Sequence, residues 1–249
     1  MTKGAGAFRP RPPTPRVRPM TKDSKGAICR AASSLGLLLA FAGCGDATVQ
    51  LEGRAFSDAS GSGVGDALAG ATVDVSGDAR FAGVTDDEGA FSVEVAPSAR
   101  VLVQLEATGH VGLLEAEALE GIDRERDYGL TPEVNVDALL GSVDLVRDPT
   151  KGIVVVDFET SSVAGGETAA LLGDFEAVLT RTEDGAFVRG DRVGPGGEDT
   201  FLSFINVEPG EVRVEASSPT ETCEVERGDA SWPVRANVVT TIRVACRPE

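Results

Sequence analysis

The sequence is short of the residues from which most enzymes build their chemistry. Its 249 residues hold one histidine, one tryptophan, one tyrosine and two methionines. A Ser–His–Asp or Cys–His site has only His110 to draw on, and a zinc site built on several histidines is excluded by count. No G-x-x-x-x-G-K-[ST] sequence occurs. Gly61-Ser62-Gly63-Val64-Gly65 lacks the G-x-G-x-x-G spacing and leads towards a strand, so no phosphate-cradling loop is present. The apolar stretch Ala31 to Gly43 has thirteen residues, where a helix crossing a bilayer core of about 30 Å needs about 20. Lysine is nearly missing too: beyond residue 43 the only one is Lys151, and arginine supplies the remaining positive charge.

Negative charge, by contrast, is abundant. From Cys44 onward the chain carries 39 acidic and 15 basic residues, a formal charge of −24. Such a chain repels nucleic acid and anionic headgroups. The partners it suits are cations, basic proteins and neutral glycans. A glycosidase-type carboxylate pair has no motif to single it out among so many acids.

The N-terminal region has the order of an export signal. Lys22, Lys25 and Arg30 precede the apolar stretch, and small residues end it. Residues 1–43 are therefore set aside from the fold. Residues 1–19, rich in Pro and Arg, precede a second start-like Met20-Thr21-Lys22 and are either an extended n-region or upstream sequence. Phe41-Ala42-Gly43-Cys44 resembles the lipobox of bacterial lipoproteins, with Phe41 where an aliphatic residue is usual. The resemblance implies cleavage before Cys44, lipid on its sulfur and attachment to a membrane; two or more acyl chains hold stably where one does not. Gly45-Asp46 after the cysteine implies, by the same resemblance, an outer-membrane lipoprotein of the cell envelope. Cys223 and Cys246 then remain as an even pair in an exported chain and are expected to form a disulfide.

From Val49 the chain reads as short alternating strands punctuated by Gly, Asp and Ser: Thr72 to Val75, Phe91 to Val95 and Val101 to Leu105. Asp86-Asp87-Glu88-Gly89 predicts a hairpin turn, since Asp accepts turn geometry and Gly takes positive φ. Leu68-Ala69-Gly70-Ala71-Thr72-Val73, the hairpin Thr85 to Phe91, Pro97, Ala107-Thr108-Gly109-His110 and Leu130-Thr131-Pro132 together resemble the carboxypeptidase regulatory-like domain. His110 stands where that family usually has tyrosine. The resemblance covers about Val49 to Pro132. It implies a small transthyretin-like β-sandwich and no catalysis.

Val136, Leu139, Leu140 and Val143 then fall at helical spacing, predicting a helical joint over 133–150 that stops at Asp148-Pro149-Thr150. A second β domain follows over 151–249. Its Glu183-Asp184-Gly185-Ala186-Phe187 repeats the earlier hairpin 96 residues on, and Asn206-Val207-Glu208-Pro209-Gly210 resembles a turn of the same superfamily. The Gly-rich segment Arg189 to Thr200 is the candidate insertion between the two matches.

The sequence thus predicts an all-β chain: a cleaved signal (1–43), an Ig-like or transthyretin-like antiparallel sandwich (44–132), a short helical joint (133–150) and a second sandwich with a disulfide (151–249). The expected function is non-enzymatic, structural or binding, in a lipid-anchored envelope protein. No cofactor is expected, with calcium as the alternative through the oxygen donors Asp86, Asp87 and Glu88. Those residues are also what a tight hairpin requires. Trp232, on a loop or strand edge, is the candidate platform for a glycan or protein, with core packing as its other role. Arg189-Gly190-Asp191 is explained by composition.

Overall fold

The computed structural model describes residues 48–59, 63, 65–160, 165–194, 200–228 and 230–248. The export signal, Cys44 and part of the Arg189 to Thr200 segment lie outside these residues.

Among the described residues the first half holds seven strands: β1 (Val49–Ser57), β2 (Thr72–Gly77), β3 (Phe81–Val84), β4 (Ala90–Val95), β5 (Arg100–Glu106), β6 (Gly112–Ala118) and β7 (Arg124–Leu130). One sheet has the order β4-β1-β7. It faces the run β3-β2-β5-β6. Alternation decides the packing: Val73, Val75, Val93, Val95, Val101 and Val103 are all buried in one core between the two layers. Of the residues between them, Asp74 and Glu94 are exposed and Leu102 packs on the second core. This is the expected β-sandwich.

The hairpin turn forms as its residues require. Gly89 takes φ 76°, Asp86 N–H donates to Ala90 O at 2.9 Å and Gly89 N–H to Asp86 O at 3.0 Å. The later turn repeats this bonding. Thr182 N–H donates to Ala186 O, Gly185 N–H to Thr182 O, both at 2.8 Å, and Gly185 has φ 84°.

The helix α1 (Glu133–Gly141) follows. Leu140 is buried, and Val136, Leu139 and Val143 pack beside it against the second half. The apolar stripe thus covers the surface it was expected to need. The predicted end, at Asp148-Pro149-Thr150, is corrected: α1 stops at Gly141. Ser142 Oγ donates to Leu139 O at 2.6 Å, Leu145 N–H closes on Leu140 O at 2.9 Å, and Asp144 turns the chain at φ 57°. Backbone closure ends the helix before the proline is reached.

The second half holds β8 (Gly152–Glu159), β9 (Thr168–Leu172), β10 (Ala177–Arg181), β11 (Phe187–Arg189), β12 (Phe201–Val207), β13 (Gly210–Ser217), β14 (Thr222–Val225), β15 (Trp232–Val234) and β16 (Val238–Arg247). Strands β15-β13-β9 form a small sheet over the run β11-β10-β12-β8-β16. Val154, Val156, Phe158, Leu202, Phe204 and Ile242 fill the core between them.

Two features depart from the expected antiparallel sandwiches. First, β1 pairs β7 in parallel, and β16 pairs both β6 and β8 in parallel. Parallel neighbours need long crossovers, and the many residues between each of these pairs supply them. Second, the β6–β16 pairing makes a single ten-stranded sheet that runs through both halves.

Candidate functional site

The β6–β16 ladder is short. It runs from Val238 opposite Gly112 to Thr241 opposite Glu115. β16 continues to Arg247, but its edge passes to β14, with Val225 opposite Val244 and Cys223 opposite Cys246. The sheet therefore forks near Arg243, with β5 and β6 on one prong and β14 and β16 on the other.

A charge cluster closes the base of the fork. Arg243 Nη2 lies 3.0 Å from Glu115 Oε2, and its Nη1 donates to Ala116 O at 3.3 Å. Glu117, fully buried, accepts from Arg126 Nε at 2.9 Å and has Arg124 Nε at 3.5 Å. Glu226 stands 4.0 Å from Arg243 Nη1. Strands β6, β7 and β16 and the residue that follows β14 in the sequence thus share one partly buried network. Burial holds the Glu115 carboxyl above its ordinary range, against the pull of Arg243 and Arg126. Burial likewise raises Glu226 and Asp157, each opposed by Arg243. The Tyr128 hydroxyl is pushed up by burial and by Glu117 and Glu115.

Above the cluster the fork opens into a cleft of about 940 Å³. Its floor is small and apolar: Leu102, Ala116, Ala118, Val225 and Ala245. Its rim is charged, with Arg100, Arg247, Glu120, Glu159 and Glu224. No motif or local period marks this site. Glu115, Glu117 and Arg243 look like outward residues of alternating strands; the pairing of β6 with β16 brings Arg243 to Glu115, and β7 supplies the arginines that pair with Glu117.

The residues singled out from the sequence fall elsewhere. Cys44 lies outside the described residues. Cys223 and Cys246 are bonded and lock β14 to β16. Trp232, on edge strand β15, is only 1% exposed. Its ring sits in the second core, with the Arg227 guanidinium 5.1 Å from the ring centroid. It takes the core role, and the exposed platform is corrected: pairing of β15 with β13 turns the indole inward. Asp86 Oδ1 already accepts the backbone N–H of Glu88 at 3.0 Å and of Ala90 at 2.7 Å, which is the hairpin role. Among the described residues no group of three or more His, Cys, Asp or Glu is placed to hold a metal ion. His110 Nδ1 contacts Thr108 O at 3.1 Å and Nε2 contacts Ser57 Oγ at 2.9 Å, tying the end of β6's lead-in loop to β1. Arg189 of the Arg-Gly-Asp tripeptide donates to Asp144 O at 3.1 Å, so it braces the joint. Among the described residues no helix is long and apolar enough to cross a membrane.

No protein-family model matches this chain, and no curated protein matches it. Among solved structures, the Bacillus anthracis TIE protein is similar at 11% identity and a TM-score of 0.28, over 80% of this chain and 34% of that one. This chain therefore spans about a third of that protein's length. The shaft pilin SpaA from Lactobacillus rhamnosus GG is similar at 8% identity and a TM-score of 0.28, over 82% and 99% of the two chains. A DUF3823 family protein from Bacteroides ovatus gives 11% identity and a TM-score of 0.28, over 80% and 99%. Likeness at this level carries neither family membership nor function.

Proposed function

We propose that this chain is a non-enzymatic module of the bacterial cell envelope, anchored through lipid on Cys44, whose work is to hold or present a binding surface. The observation that carries the reading is the sheet that runs through both halves and is closed at its fork by Arg243, Glu115 and Glu117. Bending the halves against each other would break the ladder of β16 with β6 and uncover buried charge. Such a body transmits position rather than opening and closing on a substrate. The basic segment, the apolar stretch and Ala42-Gly43-Cys44 support the anchor. Strand β1 begins at Val49, five residues past Cys44. Gly45-Asp46 supports sorting to an outer membrane.

The test is intact mass and membrane fractionation of the protein expressed with its own signal, beside Cys44→Ala. The expected product begins at Cys44, is heavier by a diacylglycerol, and sediments with membranes, whereas Cys44→Ala does not. A soluble, unmodified chain cut near Gly43 overturns the anchor. Turnover in a broad hydrolase panel that is lost in His110→Ala overturns the non-enzymatic reading.

A further inference from the structure

We infer that the cleft between β6 and β14 is a docking groove for an extended, basic polypeptide segment, which adds as a strand to the free edge of β6. Four observations converge on this occupant.

The first is an unused strand edge. β6 extends to Ala118, but its pairing with β16 ends at Glu115. Successive backbone groups of a strand point to opposite sides. Gly112 N–H donates to Asn237 O on the β16 side, and Leu119 N–H donates to Ala99 O on the β5 side. The even-numbered residues of β6 therefore aim at the cleft. Arg243 satisfies Ala116 O, and the next in line, Ala118, is exposed. An edge of this kind is a template for a further strand.

The second is the floor. Ala116, Ala118 and Ala245 carry a single methyl group each, and Val225 and Leu102 complete an apolar base. Small side chains let another backbone approach. A peptide with apolar residues at alternate positions meets this floor with one face.

The third is the charge of the rim. Glu120, Glu159 and Glu224 are exposed and line the cleft without an ion-pair partner among the described residues. Arg100 and Arg247 have no ion-pair partner among the described residues, and Asp78 adds a further carboxylate that accepts Arg100 N–H at 2.9 Å. Arg243 is neutralised by Glu115, and exposed Arg227, over the Trp232 ring, keeps its charge, against the four carboxylates Asp78, Glu120, Glu159 and Glu224. The rim thus leans negative, and the outward face of an alternating basic peptide complements it.

The fourth is the long-range field. The formal charge of −24 from Cys44 onward steers cationic segments towards the chain and repels acidic ones. The groove needs no lipid on Cys44, so the peptide assay and the fractionation above fail or succeed separately.

The test uses the purified protein and a fluorescent seven-residue peptide alternating Lys and Val, beside a Glu–Val counterpart and a Lys–Val copy N-methylated at alternate residues. Anisotropy is read at low and high salt. The Lys–Val peptide is expected to bind, more weakly as salt rises, and at least about tenfold more tightly than either control, a difference of about 1.4 kcal/mol. Ala118→Pro removes a cleft-facing N–H without touching the β5–β6 ladder and is expected to weaken binding about tenfold, a difference of the same size. Glu224→Gln is expected to weaken it about threefold, with a smaller salt dependence. Absence of Lys–Val binding overturns the proposal, as does equal binding of the Glu–Val or N-methylated peptide. If Ala118→Pro does not fold, the N-methylated peptide decides the strand-addition step without any variant.

Discussion

Arg243 Nη2 and Glu115 Oε2 meet at 3.0 Å across 128 residues of sequence, at the point where the shared sheet divides. Arg243 is the residue at which β16 leaves β6, and its guanidinium takes the place of the next ladder bond by donating to Ala116 O. Neighbouring Glu117 is the most deeply buried acid of the same network, with 0% side-chain exposure. The two halves are therefore coupled through charge as well as through backbone pairing.

Removing one partner of a fully buried ion pair costs about 3–5 kcal/mol, and less where the remaining charge reaches water. Glu117→Ala leaves Arg126 with Glu115 and leaves Arg124, 39% exposed, without its carboxylate, and is expected to destabilise the fold by about 1–3 kcal/mol. Glu120→Ala, on the exposed rim, is expected to change stability by under about 0.5 kcal/mol. Urea unfolding of both variants checks the contrast. A Glu117→Ala chain as stable as the parent would mean that the network holds nothing together.

Stability is expected to rise as pH falls from 7 towards about 5. Burial holds Glu115, Asp157 and Glu226 above their ordinary values. Their folded pKa exceeds the unfolded one, so the stability they contribute is complete below the unfolded value and is lost as pH rises through the folded value. Relief of acidic self-repulsion acts in the same direction. Asp148 and Asp184 act oppositely. Hydrogen bonds from Thr150 and Thr182 lower them, and their contribution is lost as pH falls below the ordinary carboxylate value of about 4. Calorimetry from pH 7 to 3 should show Tm rising and then turning down. A steady fall from pH 7 would contradict the assignment.

Trp232 gives a direct optical readout, because it is the one tryptophan. Its indole is 1% exposed, so its emission is expected to be blue-shifted, poorly quenched by iodide, and red-shifted only on unfolding. Trp232→Ala is expected to cost about 3–5 kcal/mol through the cavity left behind. Quenching as efficient as that of a free indole would return Trp232 to the surface.

Thr85 pins the first hairpin to the loop before β2. Its hydroxyl donates to Leu68 O at 2.6 Å and accepts from Ala71 N–H at 2.9 Å, and the residue is 4% exposed. Thr85→Val keeps the shape and leaves both backbone groups without that hydroxyl. The expected loss is about 1–3 kcal/mol, read by chemical denaturation, with Thr85→Ser recovering most of it.

Reduction of the Cys223–Cys246 bond is expected to lower stability by about 3 kcal/mol, from the loop that its 23-residue separation closes. Denaturation with and without reductant measures this. Its cause is release of the unfolded chain, so the melting point should drop while the native spectrum is unchanged.

Local pattern made much of the fold readable. Period-two alternation located the strands of the first core, since burying one face of a strand needs apolar residues at every second position. The hairpins at Asp86 and Thr182 were visible because Gly89 and Gly185 supply the positive φ that the turn requires. The stripe Val136, Leu139, Leu140 and Val143 announced a helix with a face to bury. The end of that helix was not readable in the same way. It depends on Ser142, Leu145 and Asp144 closing on preceding carbonyls, and several chain paths from Gly141 are locally acceptable.

By itself, then, the sequence determined the all-β class, the turn positions, the acidic surface and the two cysteines available to pair. The tertiary structure decided which strands became neighbours. The β6–β16 seam joins residues 112–115 to 238–241, and no local period encodes a partner so far along the chain. That pairing brought Arg243 to Glu115, while Glu117 met Arg126 and Arg124 of β7. Pairing of β15 with β13 likewise carried Trp232 into the core. Propensity acts over a few residues, whereas register, burial and the charge balance of a site are set only when distant strands meet.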